Sequence, residues 1–95
     1  MLLSFPGWAR TESVEFSIAQ PVTVSGKTLD PGDYTINVKN GADQMDITKD
    51  GQVVLQAPCH WIQLKTKPDN TEVEFTANKM TEIEFGGKTD AVQVP

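Results

Sequence analysis

Apolar residues recur at every second position through most of this chain, and nowhere over a useful length at the spacing of a helix. Val14, Phe16 and Ile18 alternate with Glu15, Ser17 and Ala19, the period of a half-buried strand. Gln20-Pro21 interrupts this strand, and Val22 and Val24 continue it. Pro21 cannot donate to a ladder, so it marks an edge position or a step from one sheet to the other. Ser25-Gly26-Lys27 makes a turn, and Pro31-Gly32 makes another, from which Tyr34, Ile36 and Val38 alternate with polar residues. Asn40-Gly41 predicts a tight hairpin of the primed type, with Met45 and Ile47 on the returning strand. Lys49-Asp50-Gly51 turns the chain into Val53-Val54-Leu55, which Pro58 bends or ends. Trp61, Ile62 and Leu64 lead to the turn cluster Lys67-Pro68-Asp69-Asn70. Val73, Phe75 and Ala77 form a further inward face, turned by Asn78-Lys79-Met80 and answered by Ile83 and Phe85. Gly86-Gly87 opens the last turn before Val92 and Val94.

About seven or eight short strands, with turn signals roughly every ten residues, predict an all-β fold. The expected architecture is a two-sheet antiparallel β-sandwich of immunoglobulin-like or Greek-key type. Leu29 to Tyr34 favours a sandwich over a barrel, because it matches the tyrosine corner, in which a Tyr near a strand start hydrogen-bonds back across a connection. Residues 11–95 are expected to make a single domain. Within residues 1–10, Gly7 and Ala9 have the small-x-small spacing of an export-signal cleavage site, and Pro6 breaks any preceding helix. No basic segment precedes them, and the apolar part is shorter than the usual stretch of about 7 to 15 residues. This segment is therefore read either as a truncated signal remnant, which implies export, or as an apolar segment packed on the core.

Charge narrows the range of partners. Thirteen acidic residues stand against eight basic ones, a net charge of −5 in 95 residues. A field of that sign repels phosphate, so nucleic acid and anionic membrane surfaces are not expected partners. No segment approaches the roughly 20 apolar residues of a spanning helix.

Candidate chemistry is sparse. Cys59 is the only cysteine, which forbids an internal disulfide; in an apolar run it reads as a buried, inert thiol, with an intermolecular disulfide or a reactive thiol as the alternatives. His60 is the only histidine, whereas a copper site in a sandwich needs two imidazoles. As neighbours on a strand, Cys59 and His60 point to opposite faces and make neither a chelate nor a nucleophile–base dyad. Asp43, Asp46 and Asp50 cluster around one hairpin, and Asp30 with Asp33 flank Pro31-Gly32, without the ligand pattern of an EF-hand loop. No catalytic residue, metal site or cofactor is expected.

Two surface features stand out. Glu72 and Glu74 alternate with Val73 and Phe75, while Glu82 and Glu84 alternate with Ile83 and Phe85, so all four acids face outward. If these strands pair, an acidic strip covers one sheet face, and directly opposed like charges cost stability. Either Lys65, Lys67 and Lys88 neutralise the strip, or an offset register separates the acids, or the strip is a surface for a cation or a basic partner. Trp61, with Gln63 nearby, is the other candidate. An outer-face Trp can stack on a sugar or another neutral ligand, whereas a register shift at Pro58 makes it the core tryptophan.

Val22 through Ile36, containing Gly26-Lys27-Thr28-Leu29-Asp30-Pro31-Gly32-Asp33-Tyr34, together with Thr81 through Lys88, ending Phe85-Gly86-Gly87-Lys88, resembles a group of small exported bacterial proteins. They share a G-K-T-L-x-P-G-x-Y pattern and a late F-G-G-K. The resemblance implies export and a β-sandwich and carries no catalytic residue across. The first stretch also looks like strand starts in fibronectin type III and prealbumin-like domains, although Tyr34 follows Leu29 one position sooner than in the fibronectin spacing. The expectation is thus a non-catalytic exported module, periplasmic or extracellular, that acts structurally or by contact with a protein, a glycan or a second copy of itself. The alternative is a small carbohydrate-binding or neutral-ligand-binding module that uses an exposed Trp.

Overall fold

The computed structural model describes residues 11–95, so the expectation for residues 1–10 lies outside the described residues. Ten strands are present among them: β1 Thr11–Ile18, β2 Val22–Val24, β3 Lys27–Leu29, β4 Gly32–Lys39, β5 Gln44–Lys49, β6 Gln52–Pro58, β7 His60–Gln63, β8 Glu72–Thr76, β9 Lys79–Glu84 and β10 Asp90–Gln93. They form two open sheets. One has the order β1-β4-β5-β6, and the other follows β3-β2-β9-β10-β7 with β8 added to β9.

The period of two places the core between the sheets. Val14, Tyr34, Ile36, Val38, Met45 and Ile47 point inward from the first sheet, and Val22, Val24, Met80, Ile83 and Val92 answer from the second. Ile36, Ile47 and Ile83 have no exposed surface, and each such burial contributes roughly 1.5–3 kcal/mol. No polar or charged residue is buried among the described residues, so polar chemistry is confined to the outer faces and edges.

The chain changes sheet where the punctuation residues stand. Between β1 and β2 the step falls at Pro21, in keeping with a residue that cannot donate to a ladder. The return from β3 to β4 falls at Pro31-Gly32, where Gly32 has a φ of 153° and the Lys49 Nζ lies 2.8 Å from where a Cβ would stand. The Tyr34 hydroxyl donates to the Asp30 carbonyl oxygen at 2.6 Å, tying the end of β3 to the start of β4. The expected corner contact is therefore present.

The expected sandwich is corrected on two counts. There are ten strands rather than seven or eight, because Lys27–Leu29 forms a short strand that no alternation marks and because the breaks at Pro21 and between Pro58 and His60 separate β1 from β2 and β6 from β7. The second sheet is mixed rather than wholly antiparallel, since β2 meets β9 in parallel at Thr23 and Lys79. The Thr23 N–H donates to the Asn78 carbonyl at 2.8 Å, fixing this short crossing.

Turns follow the local signals at some points and tertiary contacts at others. Ser25-Gly26 and Asp50-Gly51 are two-residue turns with positive φ at both positions, as hairpins with right-handed twist require. The hairpin from β4 to β5 is wider than the tight primed turn expected at Asn40-Gly41. Only Gly41 takes positive φ, and residues 40–43 make the loop. Contacts from the next segment hold that loop: the Ala42 carbonyl accepts from Trp61 and Cys59, and the Asp43 carbonyl accepts the Cys59 N–H. The turn between β8 and β9 is Ala77-Asn78 rather than Asn78-Lys79-Met80, with φ values of 51° and 62°. Asn78 is held there by β2 through its carbonyl and by Gln20 through its side chain.

Candidate functional site

The placement of the Ala77-Asn78 turn decides what happens to the four glutamates. Phe75 pairs with Met80, and β9 then carries one extra residue, Thr81, before the register resumes. The Thr81 hydroxyl donates to the Glu74 carbonyl at 3.3 Å, holding this bulge. The shift leaves Ile83 opposite Val73 and sets Glu74 directly opposite Glu82, and Glu72 directly opposite Glu84. Offset register, one of the readings that would separate the acids, is thereby excluded. Among the described residues neither Lys65, Lys67 nor Lys88 makes an ion pair with these acids. Lys88 is paired with Glu12 on β1, and this is the only ion pair among the described residues.

The electrostatics follow from that register. Glu72, Glu74 and Glu84 bring carboxylate oxygens within 4.8 Å of one another. A side-chain hydrogen bond shared with Glu84, helped by partial burial and by the charges of Glu74 and Glu84, pushes Glu82 up to about 6. Partial burial raises Glu74, with the charges of Glu84 and Glu72 adding to the rise. A cation on this face would relieve both the repulsion and the shifts. The aspartates Asp43, Asp46 and Asp50, drawn together by the sequence around one hairpin, form no comparable group among the described residues.

Trp61 sits on β7, half-buried and packed against the core. Its indole stacks on Phe85, with ring centroids 5.9 Å apart and 21° between planes, and its N–H donates to the Ala42 carbonyl at 2.8 Å. Gln63 is exposed on the same strand, but its amide donates to Asp90 and its oxygen accepts from Thr89. Cys59 is buried, as expected, and its thiol is pushed up by desolvation and then by the Asp43 charge. His60 is exposed at the start of β7, whereas Cys59 lies in the break between β6 and β7, so the two are not neighbours on one strand as expected.

The motif Phe85-Gly86-Gly87-Lys88 proves to be architectural. Phe85 carries Trp61, and the Gly86 N–H donates to the Thr71 hydroxyl at 3.0 Å. A Cβ on Gly86 would come within 3.1 Å of the Asp69–Asn70 backbone. Gly87 donates to the Pro68 carbonyl, and Lys88 crosses to the first sheet.

No family model matches the chain, and no curated protein or solved structure is similar enough to count as a match. The classification therefore rests on the coordinates alone: an all-β protein of two open sheets. No helix among the described residues is long and apolar enough to cross a membrane.

Proposed function

We propose that the protein is a non-catalytic interaction module of the cell envelope or extracellular space, and that the outer face of β8 and β9 is its contact surface for a positively charged partner. One observation carries this reading: Glu74 lies opposite Glu82 and Glu72 opposite Glu84, in a register held by Thr81 and Asn78. Directly opposed like charges are destabilising, so folding alone does not favour this arrangement. A partner bearing ammonium or guanidinium groups turns the same repulsion into binding energy. Export is supported by the Gly7-x-Ala9 spacing and by the resemblance to small exported proteins. For the scaffold, the position of β1 beside the consecutive hairpins β4-β5-β6 supports a Greek-key reading within the immunoglobulin-like expectation.

Titration calorimetry with pentalysine tests the contact surface. Binding is expected at low salt, should weaken as salt screens the exposed charges, and should fall at least tenfold in the Glu74→Gln/Glu82→Gln variant. Equal binding by that variant and the parent protein would remove the surface from consideration. Glycan contact at Trp61 and Gln63 has weaker support, because the indole N–H and the Gln63 amide are already engaged within the fold.

A further inference from the structure

The two sheets meet along one side at a seam between β1 and β8. Among the described residues each is an edge strand, paired on one side only. The seam is pinned at both ends. Near the start of β1, Glu12 pairs with Lys88, and beyond its end the Gln20 amide donates to the Asn78 side chain at 2.8 Å. Midway, Phe16 meets Phe75 with ring centroids 6.2 Å apart. On one side of this aromatic pair lies a groove of about 530 Å³ bounded by Ser13, Glu15, Thr71 and Val73. On the other, a groove of about 260 Å³ reaches Ile18, Gln20 and Asn78. Phe75 borders both and keeps 36 % of its surface exposed.

The other edges left free among the described residues are poor templates. β3 and β7 have three and four residues. β6 carries an extra residue at Val54, where the register slips against β5, and it ends at Pro58. Bulges, prolines and short length are the usual protections of an exposed edge. β1 keeps an unbroken register with β4 over its eight residues, and the extra residue of the β8–β9 pair lies on β9 rather than on β8.

We propose that β8 accepts an added strand along this seam, and that the strand is an extended peptide segment of a partner in which basic and apolar residues alternate. The inference rests on the reading of the acidic face given above and names how the partner sits on it. Charge complementarity selects the occupant. A strand paired to β8 puts alternate side chains beside Glu72 and Glu74 on the outer face, at the spacing of cross-strand neighbours, and the intervening ones over Val73, Phe75 and Phe16. Glu15, exposed on β1, bounds the opposite side of the groove. A second copy of the chain would bring its own glutamates to the same place, so the acids that attract a basic strand repel a self-pairing one.

An eight-residue peptide alternating lysine and valine tests this, measured by calorimetry and by amide shifts of labelled protein. It is expected to bind at least tenfold more tightly than a peptide of the same residues arranged as a lysine block and a valine block, with shifts confined to β8, β9 and β1. N-methylation of alternate backbone nitrogens in one phase should abolish that advantage, and N-methylation in the other phase should preserve it. If the alternating, block and N-methylated peptides all bind alike, the acidic face attracts cations but β8 accepts no strand. If none binds, the reading of the face itself fails along with it. A dimer in sedimentation that Phe75→Lys dissociates would assign the seam to a second copy and overturn the proposal.

Discussion

Tyr34 shows what one side chain settles in this fold. Its ring packs in the core and stacks on Phe16 at 5.7 Å, while its hydroxyl reaches back to Asp30 across the change of sheet. A phenylalanine would keep the packing and leave the Asp30 carbonyl without this donor. Tyr34→Phe is therefore expected to lower stability by about 0.5–1.5 kcal/mol, read as a lower urea midpoint with unchanged slope. No shift would mean that the Pro31-Gly32 turn holds the crossing unaided. The residues that carry this corner were legible in the sequence, because each acts locally: Pro31 and Gly32 set the backbone, and Tyr34 starts an alternating strand. Trp61 was not, since its placement depends on Phe85 and on the Ala42 carbonyl, both remote in the chain.

At the scale of strands, alternation located nearly every inward face, but pairing depends on residues that alternation does not reveal. The outward direction of the four glutamates follows from the period of two. Their direct opposition follows from two tertiary details: the capture of Asn78 by β2 and the extra residue Thr81 on β9. A turn one residue later and a regular ladder, as the sequence suggested, would have given a different register. The opposition has a measurable sign. Glu82 is held above its ordinary value of 4.5, at about 6, so between those values the folded chain binds more protons than the unfolded chain. The contribution of this group to stability is complete below about 4.5 and is lost as pH rises through about 6. Glu82→Gln is expected to flatten that slope and to stabilise the protein at pH 7 by about 0.2–1 kcal/mol, the size of an opposed like-charge pair. Denaturant melts of both proteins across this range check it, and a variant less stable than the parent at pH 7 would show that Glu82 is structurally required.

For the whole molecule, an interior that is apolar throughout the described residues leaves the outer faces and edges to carry the polar work. The acidic pair of strands and the seam beside it lie on the same part of the surface, since β8 belongs to both. The two-sheet character was legible from composition and periodicity. The mixed second sheet was not, because a parallel contact as short as Thr23 with Lys79 leaves no pattern in the chain. If the opposed glutamates serve a cationic partner, as proposed, proton binding reports on it directly. Titration of the Glu82 carboxyl by carbon-detected NMR, alone and with saturating lysine–valine peptide, is the deciding measurement. The free protein should titrate this group near 6, and the bound protein should titrate it below that, because the ammonium groups favour the ionised form. An ordinary value in the free protein, or a value that the peptide leaves unchanged, would rule out this face as the site of a cationic partner.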